Sequence, residues 1–88
     1  LGRLSVASAE GATALGAGAN AGHANATAIG AGARTTAANQ VAIGGAGSAV
    51  RIGDIAASTT AQSGPLSVMT IDANGVVARD TTLFARVD

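Results

Sequence analysis

Along the first half of the chain, an aliphatic residue followed by glycine returns at Leu1-Gly2, Leu15-Gly16, Ile29-Gly30 and Ile43-Gly44, a constant interval of fourteen residues. A fixed period of this kind marks a repeat array, in which each unit buries its apolar side chains only by stacking on the next. The units read GATALGAGANAGHA from Gly11, NATAIGAGARTTAA from Asn25 and NQVAIGGAGSAVRI from Asn39. Eight positions are identical between the first two and four between the second and third, so the array decays toward position 50. The register starts inside a unit, which leads us to expect a segment of a longer protein.

Within a unit, a stretch such as Ala26 to Ile29 alternates in the manner of a short strand, and Gly30 with Gly32 supplies a permissive backbone for the turn that follows. Seven residues per half-coil, at about 3.3 Å each, leave room for one strand and one turn on each side. The predicted coil is flat and narrow, with Ala14, Leu15, Ala28, Ile29, Ala42 and Ile43 filling its interior. Coils stacked about 4.8 Å apart would pair backbone amides between units and place Asn25 over Asn39 in a short ladder, the alternative for these asparagines being ordinary turn chemistry without stacking. Flexible low-complexity sequence does not hold such a register, and collagen requires glycine at every third position.

After the repeats the pattern changes. Ser58 to Pro65 (STTAQSGP) is polar and ends in Gly-Pro, the signature of a linker. Leu66 to Ile71 and Val76 to Arg79 are β-prone runs around Asp72-Ala73-Asn74-Gly75, predicting a hairpin whose Asn-Gly pair supplies positive φ. Thr82 to Asp88 is expected to add a third strand, with Leu83, Ala85 and Val87 on one face.

Composition sharpens this picture. Hydrophobic residues make up 48% of the chain, but most are alanine and the single aromatic residue is Phe84. Burying an alanine methyl gains only about 0.8 kcal/mol, whereas ordering a residue costs about 1 to 2 kcal/mol of backbone entropy. One copy is therefore expected to need company. Five acidic and five basic residues cancel, which argues against nucleic acid as the main partner. Cysteine is absent, so thiols say nothing about compartment. No run long enough to span a membrane as a helix occurs, and any membrane anchoring is expected to come from regions outside this chain.

Enzymatic and metal-binding patterns are poorly represented. His23 is the only histidine, without a carboxylate or cysteine at ligand spacing, and reads as solvated surface on a polar turn. Hexapeptide acyltransferases also repeat aliphatic residues and glycine, but their coil is a multiple of six. Calcium-binding rolls need an aspartate in each turn, and none occurs before Asp54. Gly44-Gly45-Ala46-Gly47 lacks the lysine of a phosphate-binding loop. Thr13 and Thr27 align as in ice-binding solenoids, until Val41 interrupts the column. No enzyme activity, cofactor or metal is expected.

NATAIGAGA at Asn25 to Ala33 and NQVAIGG at Asn39 to Gly45 resemble the head repeat N-x-V-A-I-G-x-x-A of the YadA-like trimeric autotransporter adhesins, over about half the chain. Gly44 to Ala57 (GGAGSAVRIGDIAA) is similar to that family's neck. The resemblance implies an all-β fold: a left-handed parallel β-roll, or solenoid, of 14-residue repeats in a homotrimer, followed by a neck and a small hairpin module. The implied boundaries are a head over 1–47, a neck over 48–57, a linker over 58–65 and a β-module over 66–88. Leu15, Ile29, Ile43, Val50, Ile52 and Ile55 would form the core and trimer contacts, and Arg51 and Asp54 would pair between chains. The family usually continues into a heptad coiled coil, which this chain replaces with the hairpin.

The implied role is adhesion: an exported, outer-membrane-anchored fibre on the surface of a Gram-negative bacterium, engaging extracellular matrix protein or another cell surface. Asn25 and Asn39 belong to the repeat motif connected with matrix binding. Asn20, His23, Arg34, Thr35 and Thr36, in the variable half of the units, are the exposed candidates for ligand contact. Head-type repeats joined to short β-modules also look like trimeric phage-tail or other appendage fibres, the alternative setting.

Overall fold

The computed structural model describes residues 1–80, and the expected third strand over 82–88 lies outside them. The chain is mostly strand with little helix and divides into two units, Leu1–Ile52 and Gly53–Asp88.

The first unit holds two small parallel sheets. One contains β2 (Thr13–Leu15), β4 (Thr27–Ile29) and β5 (Val41–Ile43); the other pairs β1 (Val6–Ala7) with β3 (Asn20–Ala21), and Asn20 bridges onward to Arg34. Every pairing joins residues fourteen apart: Thr13 with Thr27 and Val41, Leu15 with Ile29 and Ile43, Val6 with Asn20. The turns stack as well as the strands. Gly30 N–H donates to the Leu15 carbonyl at 2.7 Å and Gly44 N–H to that of Ile29 at 2.8 Å, so backbone groups left over at each corner are satisfied by the neighbouring repeat.

Two corner positions explain where glycine and asparagine fall. Gly11, Asn25 and Asn39 occupy the same repeat position with φ of 72°, 57° and 62°, a left-handed corner that asparagine tolerates better than other side chains. Asn25 and Asn39 each donate a backbone N–H to the preceding repeat, to Glu10 and Ala24 respectively. Among the described residues their side chains form no amide ladder. The Asn25 amide instead leans over Gly11, its Oδ1 filling the space a Cβ there would take. Of the two expected roles, turn chemistry at a left-handed corner is the one observed, and the ladder is not.

The interior contradicts the expected placement of the aliphatic residues. Strand alternation puts the middle residue inward, and that residue is alanine: Ala28 is completely buried, as are Ala19, Ala21, Ala26 and Ala33, with Ala14 nearly so. Leu15, Ile29 and Ile43 stand on the opposite face at 46%, 38% and 59% exposure. The reason is steric. The space between the two sheets accepts methyl groups, so the branched side chains take the outward positions one residue along.

In the second unit, α1 (Ile55–Ser58) and a 3-10 turn (Thr59–Ala61) occupy the end of the expected neck and the start of the expected linker. Asp54 caps α1, its Oδ1 accepting from Ala57 N–H at 2.9 Å. The hairpin runs β6 (Val68–Ile71) antiparallel to β7 (Val77–Asp80), two residues shorter at its start than the apolar run suggested and one residue later at its return strand. Gly75 alone of the Asn-Gly pair has positive φ, at 84°. Asp72 organises the turn: its Oδ1 accepts from the N–H groups of Asn74 at 2.8 Å and Val76 at 2.9 Å, while its carbonyl accepts from Gly75 N–H.

Candidate functional site

The two sheets of the first unit present outer faces of opposite character. On the β2-β4-β5 face, alternation directs Leu15, Ile29 and Ile43 outward in one column and Thr13, Thr27 and Val41 in the next. Val41 and Ile43 are each about three-fifths exposed. On the β1-β3 face the outward column is Val6, Asn20 and Arg34, with the inward neighbours Ala21 and Thr35 buried. One face is an aliphatic stripe; the other is largely polar.

Several expected exposed residues are not exposed. Thr35 is 7% exposed, and Asn20 and His23 are half-buried. Thr35 occupies the repeat position held by Ala7 and Ala21, so its hydroxyl points into the alanine interior and requires a partner. His23, one repeat earlier, supplies it: Nδ1 and Thr35 Oγ1 share a hydrogen bond of 2.8 Å. His23 is therefore a structural partner to a buried hydroxyl rather than a solvated turn residue. The signal was present in the repeat alignment, since His23 and Thr35 replace alanines of adjacent units, but pairing them required the fold.

This gives an expected result for denaturant unfolding. His23→Ala should destabilise the unit by about 1–3 kcal/mol because it strands the Thr35 hydroxyl. Thr35→Ala restores the residue found in the other units and should cost little. The double variant should be more stable than His23→Ala alone. Additive losses would show that the hydrogen bond contributes nothing.

The remaining candidates are dispersed. Arg34, Asn25 and Asn39 are exposed. Thr36 is exposed but engaged, its N–H donating to Gln40 Oε1 at 2.7 Å and its hydroxyl bonded to the same amide. Val50, Ile52 and Ile55 are all more than three-fifths exposed. The Asp54 carboxylate, expected to pair with an arginine between chains, serves the α1 cap. Among the described residues no three His, Cys, Asp or Glu side chains gather as a metal site, and no helix is long and apolar enough to cross a membrane.

The first unit thus offers an exposed aliphatic stripe on one sheet and a largely polar face on the other. No protein-family model matches the chain, and no characterised protein or solved structure is significantly similar to it.

Proposed function

We propose that the chain is a segment of a homotrimeric, non-enzymatic surface fibre: a left-handed parallel β-roll of 14-residue repeats leading through a neck into a small hairpin module. The observation that carries this reading is the one-sided distribution of apolar surface. Leu15, Ile29, Ile43 and Val41 form a continuous exposed stripe in a unit whose own interior holds little beyond alanine methyls. Covering such a stripe gains roughly 25 cal/mol for each Å² removed from water, and two neighbouring copies can do this with the same residues. Val50, Ile52 and Ile55 would continue the contact through the neck.

The resemblance of NATAIGAGA and NQVAIGG to adhesin head repeats supplies the biological setting. The fibre is exported, anchored in an outer membrane by regions beyond this segment, and presents its polar faces outward to matrix protein or another cell. Three weak sites held on one rigid rod act together and gain avidity without new contacts. The hairpin in place of a heptad coiled coil favours the second reading, a phage-tail or other appendage fibre. A membrane β-barrel of four strands in the parent reading frame supports the adhesin; a tail-assembly gene neighbourhood supports the alternative.

Sedimentation equilibrium tests the assembly directly. The expected mass is three times the 8.2 kDa chain, and a stable monomer at micromolar concentration would overturn the proposal.

A further inference from the structure

The polar face of the first unit contains side chains that the fold leaves unused. Asn20, in β3, lies between Val6 of β1 and Arg34, so three adjacent repeats place an aliphatic, an amide and a guanidinium side by side. Two residues past Asn20, on the same face, is Gly22. A Cβ at Gly22 would meet only the Asn20 Oδ1 at 3.3 Å and the Ser8 Oγ at 3.8 Å. The missing side chain therefore leaves a shallow shelf beside the Ser8 and Asn20 side chains, with Arg34 bridged to Asn20 one repeat on. Among the described residues, none of these three side chains makes a hydrogen bond or ion pair within the chain.

We infer that this shelf is a carbohydrate-contact site, and that its ligand is a sugar chain bearing an anionic group. The guanidinium only donates and carries a fixed positive charge, which selects a carboxylate or a sulfate ester. The amide of Asn20 and the hydroxyl of Ser8 both donate and accept, matching vicinal sugar hydroxyls. Val6, 43% exposed at the edge of the shelf, offers apolar surface to the C–H side of a sugar ring. An acidic peptide is the competing occupant, since β1 is an edge strand of its sheet, and the test includes one to separate the two. Gly22 is the residue that admits the ring, and Thr36, already held by Gln40, is not part of the site.

This inference deepens the adhesion reading and rests on it for avidity: one shelf per chain is weak, and a rod of three presents three at fixed spacing. The shelf itself lies within a single chain, so its chemistry is separable from the state of assembly.

The test measures binding of the full chain to immobilised heparin-derived, hyaluronan-derived and dextran oligosaccharides and to polyglutamate at low salt, with sedimentation run on the same samples. Binding to the two anionic sugars and none to neutral dextran is expected; binding to heparin alone assigns the sulfate ester, and to both assigns the carboxylate as sufficient. Arg34→Ala should weaken binding about tenfold or more, the loss of one charge-assisted contact. Gly22→Val should do the same by filling the shelf, and it should fold normally because Gly22 is outside the left-handed region and its neighbours are side-chain ends. Arg79→Ala, an exposed arginine of the hairpin and outside the shelf, should bind as the parent does. Equal binding to dextran, equal binding to polyglutamate, an unaffected Arg34→Ala protein, or the same loss in Arg79→Ala would overturn the inference. A monomeric mass with shelf-dependent binding intact would overturn the assembly proposal alone.

Discussion

Ile29→Asp is expected to convert the proposed three-chain particle into single chains at micromolar concentration while leaving the strand content of each chain largely intact. Ile29 lies at the centre of the aliphatic column, hydrogen-bonded strands on both sides, with Leu15 and Ile43 as its register partners. In one chain it is 38% exposed, so an aspartate there keeps access to water and costs no more than about 1 kcal/mol in strand preference. In the proposed assembly the same carboxylate would be enclosed by neighbouring copies, facing aliphatic groups and two further carboxylates related by symmetry. An unpaired charge buried in this way costs several kcal/mol per group, enough to exceed what a thin stripe can return. Ile29→Val removes one methylene and should cost only about 0.5–1.5 kcal/mol, preserving the assembly. Sedimentation equilibrium with circular dichroism on both variants separates the outcomes: an unchanged mass for Ile29→Asp removes this face from the interface, and loss of strand signal places Ile29 in the fold of the single chain instead.

That division between assembly and folding is where reading residues in order reaches its limit. The interval from Leu15 to Ile29 to Ile43 predicts the strand register, and the pairings Leu15 with Ile29 and Ile29 with Ile43 follow it residue for residue. Alternation also places Ala28 and Ile29 on opposite faces. What periodicity does not decide is which face turns inward, because Ala28 and Ile29 are both apolar and both repeat. The interior decides it: the corners are closed by tight turns, Ala19 and Ala33 N–H donating to the Gly16 and Gly30 carbonyls, and the buried cluster they enclose is alanine. The same limit applies to Thr35: by type a surface residue, it occupies an alanine position of the repeat, and only the folded chain reveals that His23 reaches it at 2.8 Å. In the second unit the Asp72 turn was legible from Asp-x-Asn-Gly, while α1 was not. A single turn from Ile55 to Ser58, in a run of alanine, serine and threonine, leaves almost no periodic trace, and its one local signal is the Asp54 cap.

Gly16→Ala is expected to abolish cooperative folding of the first unit, a larger effect than any surface change in the chain. Gly16 closes β2 at φ 129°, outside the region L side chains normally adopt, and a Cβ there would stand 2.6 Å from the Gly30 carbonyl carbon and 2.7 Å from its oxygen. Those atoms belong to the backbone of the next repeat and are fixed by pairing: Gly30 N–H donates to the Leu15 carbonyl and its own carbonyl accepts from Ala33. A flexible side chain could swing away; this backbone moves only if the stack opens. Conformational strain of about 1–3 kcal/mol therefore adds to an overpacking term of about 1–3 kcal/mol or more. Gly32→Ala isolates the first contribution, because Gly32 also has positive φ, at 71°, but nothing lies within 4 Å of the added carbon. Its cost should be about 1–2 kcal/mol. In a unit of this size each kcal/mol moves Tm by roughly 4–8 °C, so Gly32→Ala should melt lower yet cooperatively, whereas Gly16→Ala should show no transition. Equal melting of the two variants would mean that close backbone approach between repeats contributes nothing, and the stacked arrangement of β2 on β4 would have to be abandoned.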